Sequence, residues 1–113
     1  PVNDPLDPAR RYLRAIDIET GDIRWEIEQV GPMEQTLTAG NYSGVLATST
    51  NLVFYGESSG GFAAVDAATG RTLWHFEAGA IWKASPITYR VNNRQYVAIA
   101  AGANILSFAL PVE

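Results

Sequence analysis

The chain has 113 residues and a formal net charge of −4, and 47% of its residues are hydrophobic while 18% are charged. It contains no cysteine and one histidine, which excludes disulfides, thiolate metal sites and histidine-rich metal centres. An acidic balance without a basic stripe argues against nucleic acid as a partner, and no apolar run approaches the ~20 residues of a membrane span.

The predicted elements are short strands in chain order. Residues 1–11 are rich in proline and charge, which predicts a polar connector, and two strands follow within residues 12–29. Apolar or alternating runs predict further strands at 44–48, 52–56, 62–66, 72–77, 86–91, 95–101 and 105–110. Because no segment shows a sustained 3.6-residue period, the sequence predicts an all-β fold of about nine strands joined up and down.

Two segments of the chain repeat each other. Residues 15–25 and 64–74 both read A-x-D-x-x-T-G-x-x-x-W, and equivalent positions lie 49 residues apart. The aspartate and glycine predict a hairpin turn, in which the carboxylate accepts hydrogen bonds and the glycine has a positive φ. A catalytic role for Asp17 and Asp66 is the alternative, but a residue that repeats together with its turn is favoured as part of the turn.

A period near 49 residues with four strands per unit is typical of a β-propeller blade. The strand order divides the chain into an outer half-blade at 12–29, a complete blade at 44–78 and a last blade at 84–111 that lacks its outer strand. Residues 1–113 are therefore predicted to be a propeller fragment, one four-stranded blade flanked by two partial blades.

The repeat resembles the tryptophan-docking motif of the pyrroloquinoline quinone (PQQ) dehydrogenases. Residues 42–48 and 52–56 resemble the family's penultimate blade, and residues 83–89 and 95–102 resemble its closing blade. The resemblance covers about residues 12–111. It implies the C-terminal part of a PQQ-dependent alcohol or glucose dehydrogenase-like quinoprotein with eight blades.

Such quinoproteins are oxidoreductases that are periplasmic or membrane-associated, hold PQQ and usually Ca²⁺, and pass electrons to a cytochrome c or a quinone. The resemblance places their catalytic aspartate and their calcium ligands in earlier blades, so we expect no catalytic or metal-ligating residue in this chain and no activity from it alone. It also implies that the remaining blades are its partners, with a strand from the N-terminal region completing the last blade.

Strand order places the long connections 31–43, 57–61, 79–83 and 102–104 on one rim, where function is expected. The resemblance and this placement give the candidate cofactor-binding residues Tyr42, Trp82, Lys83, Gly102, Ala103 and Asn104. Each has a plainer alternative: rim packing for Tyr42, packing between blades for Trp82, a solvated lysine at 83 and an ordinary turn at 102–104. His75 is predicted to be a surface histidine on an outermost strand.

Two other functions stay open. A non-catalytic propeller with the same repeat would bind proteins as an assembly scaffold, and the stretch from Trp82 to Leu110 favours the dehydrogenase over it. Alternatively, several copies of the chain would associate through unpaired strand edges at both ends of the fragment.

Overall fold

The structure is a computed structural model that describes residues 11–29 and 44–111. Within these residues it contains nine strands and no helix. The strands are β1 (Arg11–Ile16), β2 (Ile23–Gln29), β3 (Val45–Ala47), β4 (Leu52–Gly56), β5 (Gly61–Asp66), β6 (Thr72–Glu77), β7 (Ile87–Val91), β8 (Arg94–Ala101) and β9 (Asn104–Ala109). They form a first sheet of β1–β2, a second sheet of β3–β6 and a third sheet of β7–β9, each antiparallel and in chain order.

This arrangement confirms the predicted all-β architecture of one four-stranded sheet between a two-stranded and a three-stranded sheet. The strand limits differ by a residue or two. β7 begins at Ile87 and not at Pro86, whose nitrogen has no hydrogen to donate to a ladder. Asn104 was expected in a turn, but it is the first residue of β9 and pairs with Ala101. The predicted connector lies outside the described residues except for Arg11, as does the predicted loop 31–43.

The core lies between the sheets. Because successive side chains of a strand point to opposite faces, β4 sends Phe54 toward the third sheet and Tyr55 toward the first. β5 does the same with Phe62 and Ala64 on one face and Ala63 and Val65 on the other, and all four are buried. The middle sheet is therefore apolar on both faces, which explains why its central strands read as continuous hydrophobic runs.

The interface between the second and third sheets contains more aromatic side chains than the interface between the first and second sheets. Phe62 is fully buried, and its ring centroid lies 5.7 to 6.1 Å from those of four neighbours. These neighbours are Phe54, Trp74, Trp82 and Phe108. The packing of these rings fixes the third sheet against the second, since aromatic side chains bury more area than any other type.

Both copies of the repeat form the predicted turn. In the first copy, an Asp17 carboxylate oxygen accepts hydrogen bonds from the N–H groups of Glu19 at 2.8 Å and Thr20 at 3.2 Å. Gly21 follows with a φ of 80°. In the second copy the same oxygen of Asp66 accepts from Ala68 at 2.8 Å and Thr69 at 3.3 Å, and Gly70 has a φ of 77°. The structure therefore supports the turn interpretation of these aspartates.

Each sheet ends on two strands whose outer edges have no ladder partner within the described residues, and in the two partial sheets these include β1 and β9, on the sides away from β2 and β8. The third sheet also exposes apolar side chains on the face away from the second sheet, with Ile105 78% exposed and Ile87 60% exposed. No helix in residues 11–29 and 44–111 is long and apolar enough to cross a membrane.

Candidate functional site

Antiparallel order puts alternate connections at opposite ends of the sheets. The β4–β5, β6–β7 and β8–β9 connections share one rim, called here the first rim, and the β1–β2, β3–β4, β5–β6 and β7–β8 turns share the opposite rim. A cleft of about 730 Å³ lies on the first rim, between the end of β6 with the segment after it and the β8–β9 turn. We call it the rim cleft.

Three of the six predicted site residues come together in the rim cleft. Lys83 lines it from the β6–β7 connection, while Gly102 and Asn104 line it from the β8–β9 turn and the start of β9. These two chain segments are about 20 residues apart in sequence, and the stacking of the second and third sheets brings them together. All three residues are exposed, so they are available to a ligand.

The cleft offers one cation, one amide and exposed backbone beside small side chains. Lysine presents a point charge with three donors, and asparagine offers both donors and an acceptor. Gly102 has a φ of 63°, and a Cβ built on it meets no atom of the described part of the chain within 4 Å, so those residues leave open space in front of this turn. Glu77 is 64% exposed and adds one carboxylate to the same cleft. The lysine and the amide suit an anionic group of a ligand.

Trp82 is placed differently from its neighbour Lys83. Its side chain is fully buried, and its indole N–H donates to the Gly61 carbonyl at 2.9 Å. A Cβ at Gly56 would overlap the indole, so the absence of a side chain there makes room for it. The predicted cofactor contact of Trp82 stays a prediction, and its burial between the sheets favours the packing alternative.

The other two candidates lie outside the cleft or outside the description. Ala103 is exposed in the β8–β9 turn but does not line the cleft. Tyr42 lies outside the described residues. Cofactor contact by either residue remains a prediction from the resemblance.

A contact that sequence reasoning missed joins an outer strand to the first rim. His75 is 42% exposed on β6, as predicted for a surface histidine, but its Nε2 lies 2.6 Å from an Oε1 of Glu57 in the β4–β5 connection. The Glu77 carboxylate is 3.9 Å from the same nitrogen. A Cβ at Gly61 would overlap both Glu57 and His75, so Gly61 is the sequence signal that two side chains pass close to the backbone there.

Next to this contact, Tyr55 has a raised pKa. Burial between the first and second sheets is the main cause of the raised pKa. The Glu57 carboxylate raises the pKa further, while a hydrogen bond with Gln29 lowers it. Gln29 also accepts a hydrogen bond from the N–H of Ser58 at 3.3 Å, so it links the first sheet to the β4–β5 connection.

Within the described residues no group of three or more histidine, aspartate and glutamate side chains could hold a metal ion. Calcium ligands were expected outside this chain, and that expectation stays a prediction.

The stacked antiparallel sheets, of which the middle one has four strands, and the repeated D-x-x-T-G turn are those of a propeller of the quinoprotein type. The family described as PQQ, glucose/ethanol/alcohol dehydrogenase β-propeller domain matches residues 6–97. The chain belongs to this family.

Several relatives are dehydrogenases. The chain is 40% identical over 90 residues to the quinoprotein alcohol dehydrogenase PedE of Pseudomonas putida, an alignment that covers 80% of this chain and 13% of that protein. Among solved structures, the quinohemoprotein alcohol dehydrogenase of Comamonas testosteroni superposes with a TM-score of 0.70 and 34% identity, covering 85% of this chain and 13% of that one. The chain thus spans about an eighth of the relatives it matches.

A further solved structure, BamB from Moraxella catarrhalis, superposes with a TM-score of 0.60 at 18% identity, over 86% of this chain and 31% of that chain. At this identity the likeness shows the fold alone. It therefore does not favour the assembly-scaffold alternative over the dehydrogenase.

Proposed function

We propose that this chain is the C-terminal portion of the propeller of a PQQ-dependent dehydrogenase that oxidises an alcohol or a sugar. The observation that carries the proposal is the rim cleft, where Lys83, Gly102 and Asn104 meet in a chain of the PQQ dehydrogenase family. The named relatives that are alcohol dehydrogenases support an alcohol as the substrate class.

The residues of the rim cleft fit part of a PQQ site. PQQ is a planar quinone with carboxylate groups, and when bound it supplies the two-electron acceptor for alcohol oxidation. Lys83 would pair with one of these carboxylates, and Asn104 would hydrogen bond beside it. The open space before Gly102 lets a flat ligand approach the backbone. Tyr42, Trp82 and Ala103 are the other cofactor contacts that the resemblance implies.

The chain by itself would be inactive. We propose that the catalytic residue and the Ca²⁺ ligands belong to other blades, because the described residues bring no base or carboxylate cluster to the cleft beyond Glu77. Electrons would pass to a cytochrome c or a quinone, and the enzyme would be periplasmic or membrane-associated facing the periplasm. These last points rest on the resemblance.

The remaining blades of a longer chain would be the main partner. The free edge of β9 and the exposed Ile87 and Ile105 support this, since an unpaired strand edge and an exposed apolar face mark surfaces at which another chain segment pairs or packs. In the second sheet the equivalent position beside β5 is filled by β6. A strand supplied from elsewhere would take the same place beside β9.

The test compares Lys83 with Arg71, an exposed cation on the other rim. In the full-length protein that contains this segment, we expect Lys83→Gln to weaken PQQ binding by about tenfold, and Arg71→Gln to leave it unchanged. Binding is measured by absorbance titration of the metal-loaded apoenzyme. Equal affinities in both variants would contradict the placement of PQQ at the rim cleft.

A second measurement tests the chain alone. The 113-residue chain is mixed with PQQ, Ca²⁺, a panel of alcohols and sugars and a dye acceptor. We expect no turnover above buffer. Turnover would show that the catalytic group lies in this chain and would overturn the proposed division between blades.

A further inference from the structure

A second polar cleft lies on the rim opposite the rim cleft. It has a volume of about 460 Å³ and is formed where the β3–β4 turn of the second sheet meets the β7–β8 turn of the third. Arg90 and Arg94 line it, one on each side of the β7–β8 turn. We call it the arginine cleft. The dehydrogenase function proposed above does not use it.

The two arginines have no carboxylate partner within the described residues. Arg14 is paired with Glu26 at 2.7 Å and Arg24 lies 3.6 Å from Asp17, but no ion pair forms at Arg90 or Arg94 in the described part of the chain. The sequence explains this, because residues 78–111 contain Lys83, Arg90 and Arg94 and not one aspartate or glutamate. Residues 78–111 therefore carry three positive charges and no negative one, in a chain with a net charge of −4.

Local structure holds the arginines at this position. The turn between them is tight, with Asn92 and Asn93 at φ values of 51° and 65°. Its cross-strand pairs set Arg90 opposite Gln95 and Val91 opposite Arg94, so the two arginines leave the hairpin on opposite faces and line the cleft from two sides. The Nε of Arg94 donates to the Leu110 carbonyl at 3.2 Å, which fixes the side chain at the end of β9 and leaves its terminal NH₂ groups for another acceptor.

The walls of the cleft indicate what kind of anion would fit. Asn93, Gln95 and Thr50 add polar groups, while Leu52 and Leu110 contribute apolar surface. Guanidinium groups bind carboxylate or phosphate through paired hydrogen bonds. Apolar surface beside them favours an anion on a hydrocarbon stem over a fully hydrated inorganic ion, because burial of the stem adds a hydrophobic contribution.

We propose that the arginine cleft is a binding site for a carboxylate carried on a short apolar stem. The carboxylate has two possible sources with the same chemistry. One is Glu113 of this chain, which follows Pro111 of the cleft by two residues in the sequence, and the other is a separate carboxylic acid.

The probe is sodium butyrate, titrated into the isotope-labelled 113-residue chain at constant ionic strength while the arginine Nε–H signals are followed by NMR. We expect saturable shifts at Arg90 and Arg94 with a dissociation constant on the order of millimolar. Arg90→Gln and Arg94→Gln should each weaken binding about fivefold or more. The matched control is Arg71→Gln, which removes an exposed arginine from the same rim outside the cleft and should leave the affinity unchanged.

Three further results decide the proposal. Linear, unsaturated shifts, or an equal loss of affinity in Arg71→Gln, would overturn it, as would inorganic phosphate binding as tightly as butyrate. In Glu113→Gln with an amidated C-terminus, which removes both carboxylates of residue 113, tighter butyrate binding would identify that residue as the natural occupant, whereas unchanged binding would point to a separate acid. Because Arg71, Arg90 and Arg94 are exposed, unchanged circular dichroism spectra are expected for their variants, and they separate loss of the site from loss of the fold.

Discussion

The two copies of the repeat are alike in their turns and different in their surroundings. In each copy the aspartate accepts two backbone hydrogen bonds, the glycine has a positive φ, and the threonine hydroxyl accepts a hydrogen bond from the residue after the glycine at 3.2 Å. These contacts all lie within six residues of sequence. The turn is thus a local structure that the motif specifies wherever it occurs.

The tryptophans of the two copies do not have equivalent partners. Trp25 donates its indole N–H to the Ala67 carbonyl at 2.9 Å and packs on Gly70, so the first copy docks on the turn of the second. Trp74 meets the third sheet, where no such turn exists among the described residues, and its ring instead lies 4.8 Å from that of Phe108. Docking of the tryptophan on a turn therefore requires a neighbouring copy of the repeat and is not specified by one copy alone.

The glycines show the same asymmetry. A Cβ at Gly70 would lie 2.7 Å from the Trp25 ring, whereas a Cβ at Gly21 would meet no atom of the described residues within 4 Å. Gly70 serves both its own turn and the tryptophan of the preceding sheet, and Gly21 serves only its turn among the residues that the structure describes. Three predictions test the comparison of the two copies, and a fourth concerns the interface at which the first copy docks.

The largest effect is expected at Gly70. Gly70→Ala places a side chain at positive φ and also overlaps the Trp25 ring, which together should lower the free energy of unfolding by about 3 kcal/mol. Gly21→Ala carries only the backbone penalty, about 1 kcal/mol. Urea unfolding followed by tryptophan fluorescence measures both. Equal losses would mean that Trp25 does not dock on Gly70 in solution.

The next largest loss of stability is expected at Trp25, whose indole N–H is hydrogen bonded, in comparison with Trp74. Trp25→Phe leaves the Ala67 carbonyl without its donor and removes part of a packed ring, with an expected loss of about 2 kcal/mol. Trp74→Phe keeps an aromatic ring against Phe108, and its N–H has no hydrogen bond within the described residues, so the loss should stay below about 1 kcal/mol. Thermal unfolding provides the readout. A larger loss for Trp74→Phe would reverse the assignment of the two roles.

The turn aspartates should behave alike. Asp17→Ala and Asp66→Ala each remove two hydrogen bonds to backbone N–H groups, and each should cost about 1.5 kcal/mol. The comparison predicts that the two losses agree within about 0.5 kcal/mol, since the turn is local. The same urea experiment tests this. A clear excess at Asp66 would show that the turn depends on the sheet that docks upon it.

The smallest effect on stability is expected at Tyr55, between the first and second sheets. Its pKa is raised mainly by burial, so the folded state favours the neutral phenol more than the unfolded state does. The resulting stability is fully present below about pH 10, the ordinary tyrosine pKa, and decreases as the pH rises through the higher folded value. Tyr55→Phe should flatten this alkaline decrease, which is measured by unfolding at a series of pH values.

Tyr89→Phe is the matched control for Tyr55→Phe. It removes a phenolic hydroxyl of the third sheet that is hydrogen bonded to Ser107 and lies away from the interface between the first and second sheets. It should leave the alkaline decrease in place. A decrease that survives in Tyr55→Phe and disappears in Tyr89→Phe would assign the sensitivity to the third sheet.

Much of the fold was predictable because its signals are local. Alternation along the strands, the D-x-x-T-G turns and the period of 49 residues gave the strand number, the order and the division into one whole and two partial blades. The start of β7 at Ile87 and the inclusion of Asn104 in β9 were missed by one residue each, since strand ends depend on which backbone groups find a partner.

The candidate site was predictable only in part. Strand order alone places Lys83, Gly102 and Asn104 on one rim, and the structure brings them to one cleft. Which of the candidate side chains are buried and which are exposed was not predictable. Trp82 and Lys83 are adjacent in sequence, yet one is fully buried and the other exposed, because the first packs on Phe62 and the backbone of Gly61.

The sequence by itself determined the strands, the turns and the repeat, because hydrogen bonds within a hairpin and a two-residue alternation involve neighbours in the chain. Only the tertiary structure decided which tryptophan docks on a turn, where His75 meets Glu57, and that Arg90 and Arg94 share a cleft. These contacts join residues from different strands, loops or sheets, and their positions follow from how the backbone and its sheets pack and not from any segment read alone.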